Sequence, residues 1–293
     1  GIGPAFAGGM FGYNCFNIGD EDNSYLSLAI VDPDYDYTVT AVQSATSSSV
    51  NGADGSNVVY NVSAGGYTPR LQVGYEGKNI DFSIGNGRII AYREVGSTAT
   101  GDITAGGFAG KGLCSFDAIG SLNGYESNPV QKGAIENLNV YFSNNSYVEA
   151  ACYSFSSIDN RANKYLGNNV CAGGAIGYVL GFTSLKNVNV GYEEISTLTG
   201  TSTPHFVYGA QNARNKSDAD LKSEGYVGGV FGLVVDTVLT DISITGDPKE
   251  NSVVYFESAN TPNTASVGGL IGALWTRKLS NKVLLSGATV EYI

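Results

Sequence analysis

Five copies of one short motif limit what this chain can fold into more than any other feature. Each copy reads Gly-Gly-φ-φ-Gly with φ apolar, and Ala or Val precedes every one. They are Gly8-Gly9-Met10-Phe11-Gly12, Gly106-Gly107-Phe108-Ala109-Gly110, Gly173-Gly174-Ala175-Ile176-Gly177, Gly228-Gly229-Val230-Phe231-Gly232 and Gly268-Gly269-Leu270-Ile271-Gly272. A sixth Gly-Gly pair does not continue this way. Chance at this composition yields far fewer than one match, so the chain is an array of repeats. Fifteen of its 40 glycines are spent on the motif, so the glycine excess marks an architecture rather than flexibility.

A second signature, apolar-x-Asn/Asp-x-x-apolar, follows the last four copies. It spans Ile135-Glu136-Asn137-Leu138-Asn139-Val140, Leu185-Lys186-Asn187-Val188-Asn189-Val190, Leu239-Thr240-Asp241-Ile242-Ser243-Ile244 and Leu279-Ser280-Asn281-Lys282-Val283-Leu284. Its Asn or Asp lies 14, 13 and 13 residues after the first glycine in the last three copies, and 31 after it in the copy before. The glycine motifs themselves are spaced 98, 67, 55 and 40 residues apart. The unit is therefore about 40 residues long, with loops inserted into the earlier copies.

Each unit holds short alternating strands, too narrow to bury a face alone; stacking the units buries a continuous core. Gly-Gly supplies positive φ or close backbone approach at a corner. Asn or Asp at a fixed offset suits a turn, and in stacked copies such residues would form a hydrogen-bonded ladder. These features predict an all-β chain, a right-handed parallel β-helix (β-solenoid) with inserted loops. Residues 1–293 are taken as one domain, with long insertions at about 17–104, 115–132 and 192–226. An array of β-sandwiches with glycines at hairpins is the competing architecture. The chain opens without Met and ends on an apolar alternating run, Ala288-Thr289-Val290-Glu291-Tyr292-Ile293, which reads as a piece of a longer protein.

Composition narrows the function. The formal charge is -11, with no Lys/Arg cluster, which disfavours nucleic acid and anionic lipid as partners. No apolar run approaches the length of a membrane-spanning helix, so no membrane insertion is expected. Low charge, many Tyr, Asn and Ser, and an even cysteine count fit an oxidising, extracellular setting. None of Cys15, Cys114, Cys152 and Cys171 forms a CxxC pair. Cys15 and Cys114 follow their glycine pairs at similar offsets, which favours the pairings Cys15–Cys114 and Cys152–Cys171. Asn61, Asn144 and Asn215 begin Asn-x-Ser/Thr sites, which matter only in a glycosylating source.

Val267-Gly268-Gly269-Leu270-Ile271-Gly272 and Val227-Gly228-Gly229-Val230-Phe231-Gly232 resemble the GLUG repeat of bacterial surface proteins. That family's Gly-x-Ile-x-Asn-Cys-x-Val element is matched by Gly133-Ala134-Ile135-Glu136-Asn137-Leu138-Asn139-Val140, except that Leu138 replaces Cys. The other copies carry Val188, Ile242 and Lys282 there. Phe142-Ser143-Asn144-Asn145 and Gly173-Gly174-Ala175-Ile176 are similar to the repeats of chlamydial polymorphic membrane proteins, though once only. Both resemblances imply a β-helical adhesin or passenger domain at a cell surface, with a structural rather than catalytic motif.

Catalytic furniture is sparse. The lone His205 leaves most acid–base and triad arrangements without a base. Gly106 to Gly112 superficially matches a phosphate loop but lacks its first Gly and the Ser/Thr after Lys111. Gly85-Asn86-Gly87 reads as a hairpin turn. Polysaccharide cleavage needs a carboxylate pair in a cleft, for which Asp236 with Asp241, or Asp117 with Glu136, are the candidates. Asp32, Asp34 and Asp36 alternate and form a weak calcium candidate, the one cofactor expectation. The 19 tyrosines suit strands and cores, or sugar stacking. The expected function is a non-enzymatic extracellular structural or adhesive module that self-associates or binds a neighbouring surface protein, with a subunit of a surface filament or array as its assembled form. The alternative is a polysaccharide-binding or polysaccharide-cleaving β-helix.

Overall fold

The computed structural model describes residues 5–12, 18–19, 26–31, 37–43, 61–71, 74–94, 101–113, 133–143, 146–152, 169–192, 206–211, 224–246, 254–258, 264–275 and 285–292. These form a right-handed parallel β-helix, and among them there is no helix. The first turn supplies β1 (Ala5–Gly8), β2 (Ile18–Gly19), β3 (Leu26–Val31) and β4 (Tyr37–Gln43). The second supplies β5 (Val62–Gly65), β6 (Thr68–Leu71), β7 (Glu76–Gly85) and β8 (Gly87–Arg93). The third supplies β9 (Ile103–Gly106), β10 (Ala109–Leu113), β11 (Ala134–Ser143) and β12 (Tyr147–Cys152). The fourth is β13 (Val170–Gly173), β14 (Ile176–Leu180), β15 (Ser184–Tyr192) and β16 (Val207–Gln211). The fifth is β17 (Glu224–Gly228), β18 (Phe231–Val235), β19 (Leu239–Gly246) and β20 (Val254–Ser258). The sixth contributes β21 (Thr264–Gly268), β22 (Ile271–Trp275) and β23 (Leu285–Tyr292).

Equivalent strands of successive turns pair in parallel and build four sheets. The first runs β1-β5-β9-β13-β17-β21, the second β6-β10-β14-β18-β22. The third runs β2-β7-β11-β15-β19-β23, with β3 also on β7, and the fourth β4-β8-β12-β16-β20. Register is set by the glycines: Gly8, Gly65, Gly106, Gly173, Gly228 and Gly268 are level with one another.

The interval from 17 to 104, expected as an insertion, therefore contains a full turn. Its corner is Gly65-Gly66-Tyr67-Thr68-Pro69, with Pro69 in the place of the third glycine. Likewise β16 lies within 192–226. Gly85-Asn86-Gly87 is not a hairpin: β7 and β8 belong to different sheets, and Asn86 (φ 56°) turns the single-residue corner between them.

The Gly-Gly pairs inside the stack are required by close approach, not by positive φ. A methyl group on Gly106 would overlap the Ala109 carbonyl oxygen across the corner, and one on Gly107 the Gly174 carbonyl of the next turn and the Phe142 ring.

The interior is built of rows of like side chains, one per turn. Ile80, Leu138, Val188 and Ile242 form one row; Phe82, Val140, Val190 and Ile244 form the next. All are at most 1% exposed. At the corner after the first sheet the Tyr67 and Phe108 rings stack at 4.7 Å, and burial pushes the Tyr67 hydroxyl up to about 12. A second, smaller apolar cluster lies outside the solenoid, in the angle between the outer faces of the first and second sheets. It contains Leu113, Cys171, Tyr178, Leu180, Tyr226, Leu233 and Val235.

Candidate functional site

Four places concentrate polar chemistry, and the repeat creates each by stacking one residue position turn upon turn.

The outer face of the third sheet carries two parallel files. Asn79, Asn137, Asn187 and Asp241 share one slot, at φ 53°, 58°, 52° and 55°. This is the left-handed region that Asn and Asp tolerate better than other non-glycine residues. The Asn137 amide donates to Asn79 Oδ1 at 2.6 Å, and that of Asn187 to Asn137 Oδ1 at 2.8 Å. Two residues on, the Asn139 amide donates to Asp81 Oδ1 at 2.7 Å, that of Asn189 to Asn139 Oδ1 at 2.8 Å, and the Ser243 hydroxyl to Asn189. A bond of 3.1 Å from Asn189 to Asn187 ties the files together. These side chains satisfy one another along the solenoid, so the face is a structural brace. Asn79 belongs to the file although its turn lacks the full glycine motif. Asn281 lies outside the described residues; the residue level with Asp241 is Gly287 (φ 62°), where no side chain is needed to make the turn.

Asn137→Ala is expected to cost about 1–2 kcal/mol for the left-handed backbone alone, plus its ladder bonds. Asn137→Gly keeps the backbone and loses only the bonds, so urea denaturation should rank wild type, Gly, then Ala in falling stability.

The outer face of the fourth sheet is aromatic and acidic. Ile90, Glu149, Tyr208 and Tyr255 are level with one another. The Tyr208 and Tyr255 rings stack at 5.8 Å, and the Tyr208 hydroxyl donates to Glu257 at 2.7 Å. Arg88 lies over the Tyr147 ring at 5.9 Å.

The angle between the first two sheets holds buried charge. Lys111 Nζ lies 2.5 Å from Asp102 Oδ2, and the two side chains are 9% and 5% exposed. The Asn169 amide donates to the other carboxylate oxygen at 3.1 Å. Lys111 Nζ also lies 4.6 Å from the centroid of the Tyr178 ring. Cys171 and Tyr226 complete the wall; burial, then the Asp102 charge, pushes the Cys171 thiol well up, and burial and the bond to Glu224 push the Tyr226 hydroxyl up. Lys111, set aside as a phosphate-loop lysine, is thus half of a buried ion pair.

The fourth place is inside the solenoid, where Gln43, Arg93 and Cys152 share a row. Arg93 Nε donates to Gln43 Oε1 at 2.9 Å, Nη2 donates to the Gly101 carbonyl at 3.1 Å, and Cys152 is hydrogen-bonded to the guanidinium. Burial pulls the Arg93 guanidinium down, offset in part by Cys152 and Asp102.

Neither Cys152 nor Cys171 is in a disulfide. The expected disulfide between them is corrected by the strands that carry them: Cys152 points into the main core from β12, Cys171 outward from β13 into the separate cluster. Cys15 and Cys114 lie outside the described residues, as do Asp32, Asp34 and Asp36, Asp117, Asn144, His205 and Asn215. Asn61 is half-buried, and its Oδ1 accepts the Asp102 backbone N–H at 3.0 Å.

Because folded Cys171 holds its proton where the unfolded thiol releases it, its contribution to stability is full below the ordinary thiol range and falls as pH rises through it. A maleimide should leave Cys171 unmodified in the native chain at neutral pH and label it in denaturant, read by mass of the Cys171 peptide.

Three of the four carboxylates weighed for glycan cleavage fall among the described residues. Asp236 (φ 50°) and Asp241 sit in left-handed turn positions, and Glu136 pairs with Lys186 at 3.0 Å on an exposed surface. Among the described residues no three His, Cys, Asp or Glu side chains gather to hold a metal ion. No family model, curated protein or solved structure matches this chain, so the fold and these four clusters are what bear on its function.

Proposed function

We propose that the chain is a non-enzymatic structural and adhesive module of an extracellular surface, which extends by stacking a further turn, supplied by a second copy, onto its own. The carrying observation is the state of the terminal turns. Each terminal strand pairs on one side only. In those turns, side chains that would be interior elsewhere are open: Leu26 is 37% exposed, Val267 49%, Leu285 43% and Val290 41%. The same Gly-Gly corner occurs in both turns, at Gly8-Gly9 and Gly268-Gly269, so the backbone geometry of one suits the other. An unpaired edge of this kind is a template for a neighbouring strand. The asparagine files support the reading, since they brace the rod along its length. The extracellular setting rests on low charge and on the resemblance to surface repeats; Cys152 and Cys171, which are in no disulfide, lend it no support.

Electron microscopy and light scattering of the purified chain test this. Rods longer than one six-turn unit, abolished by Val267→Lys with Val290→Lys, are expected. Monodisperse monomers across the accessible concentration range would contradict it.

The tyrosine and glutamate face of the fourth sheet favours polysaccharide binding as a second reading, since stacked aromatic rings offer flat apolar faces and the adjacent carboxylates accept hydroxyl hydrogen bonds. On a glycan array, Tyr208→Ala with Tyr255→Ala should lose whatever binding the wild type has while keeping its melting temperature within a few degrees. Unchanged glycan binding in that variant would remove the face from consideration.

A further inference from the structure

Lys111, Asp102 and Asn169 form a buried amine–carboxylate–carboxamide bridge. The amine and the carboxamide are bonded to opposite oxygens of one carboxylate, at 2.5 and 3.1 Å. One carboxylate thus gathers the amine and the carboxamide, one on each of its oxygens. The three residues are buried, at 7%, 3% and 5% exposure. Their surroundings are apolar or aromatic: the Tyr178 ring lies against the amine, with Cys171 and Leu113 nearby. Burial excludes the water that would otherwise hydrate the amine. Backbone pairing fixes the positions: Ile103, next to Asp102, is level with Val170, next to Asn169, and the Ile103 N–H donates to the Asn169 carbonyl at 2.8 Å.

We propose that Lys111 and Asn169 join in an intramolecular isopeptide bond, with Asp102 as the proton-transfer group. Asp102 takes a proton from the lysine ammonium, freeing the Nζ lone pair to attack Asn169 Cγ. The Nζ–Cγ bond forms and the Cγ–Nδ2 bond breaks. The proton held by Asp102 and one from Nζ pass to the departing nitrogen, which leaves as ammonium, and Asp102 returns to its carboxylate. No oxidant, metal or second substrate is involved. Fixed proximity in a dry site replaces the activation an amide ordinarily requires. The product ties the third turn to the fourth, the covalent counterpart of the hydrogen-bonded asparagine files.

The test is the intact mass of the folded, full-length chain, followed by tandem mass spectrometry of a protease digest. The wild type should weigh one ammonia less than its sequence and yield a branched peptide joining Lys111 to Asn169. Lys111→Arg, Asp102→Asn and Asn169→Ala should each restore the full sequence mass. Asn169→Asp should lose water in place of ammonia. A folded wild-type chain at full sequence mass would overturn the proposal and leave a buried ion pair. So would a loss of ammonia that persists in Lys111→Arg, which would place the change in a cyclised asparagine.

Discussion

Gly107→Ala should lower the stability of the chain by on the order of 3 kcal/mol or more, although it adds a single methyl group. The methyl would overlap the carbonyl oxygen of Gly174 in the next turn and the edge of the Phe142 ring. Neither can retreat cheaply. The Gly174 carbonyl accepts the Gly107 N–H at 3.0 Å, and Phe142 packs edge-on against Phe206 at 4.5 Å. Relief would require two turns to separate at the corner, where every turn is closest to its neighbour. A loss this large is a substantial fraction of the stability of a typical domain. Gly12→Ala is the matched control, because a methyl group there meets nothing within 4 Å, and it should be neutral. Chemical denaturation of the two variants side by side checks the claim; equal midpoints would refute the close-approach account of the glycine motif.

Arg93→Ala carries the second large effect. Arg93 is 1% exposed inside the solenoid, level with Gln43 and Cys152. Truncation leaves a cavity and removes the bonds that Arg93 makes to Gln43 Oε1, the Gly101 carbonyl and Cys152. The cavity and the lost hydrogen bonds together cost about 3–5 kcal/mol. Arg93→Met fills most of the volume and should recover only part of this, because the guanidinium's hydrogen bonds are not replaced. Arg93→Met combined with Gln43→Leu should recover more than either single change predicts. Strict additivity in that double-mutant cycle would argue against a coupled network.

Much of the architecture was legible in the sequence because close backbone approach leaves no alternative to glycine. The corners repeat wherever the chain must turn tightly against its neighbour, and the residue after each pair is apolar because it points inward. The second turn escaped notice because Tyr67-Thr68-Pro69 follows its glycine pair. Pro69 occupies the slot of Gly110, so a motif ending on glycine passes over it. Asn281 was assigned to the ladder by constant offset, but the offset is not constant: in the sixth turn the slot falls at Gly287. Gly85-Asn86-Gly87 has the chemistry of any left-handed turn, and nothing local distinguishes a hairpin from a corner between two parallel sheets.

The Cys152–Cys171 pairing fails for a related reason. Spacing says which turn a residue occupies, not which face. Parity was the available signal: Ala172 points inward, so Cys171 beside it points out. The Lys111–Asp102–Asn169 cluster joins residues distant in sequence, yet it left a trace. Asn61, Asp102, Asn169 and Glu224 each stand four residues before the first glycine of a pair. A polar residue repeated at that fixed offset marks the file that Lys111 faces across the corner.

The stacking of turns is tested most directly by one distance. Lys78, Glu136, Lys186, Thr240 and Ser286 are level along the outer face of the third sheet, one on each of five adjacent strands. Spin labels at positions 78 and 286, with the native cysteines replaced by alanine, should report a single narrow distribution. The backbones are expected about 19 Å apart, four strand spacings of about 4.8 Å. A β-sandwich array would place residues so far apart in sequence in separate units. A broad distribution, or one centred several nanometres away, would contradict the solenoid.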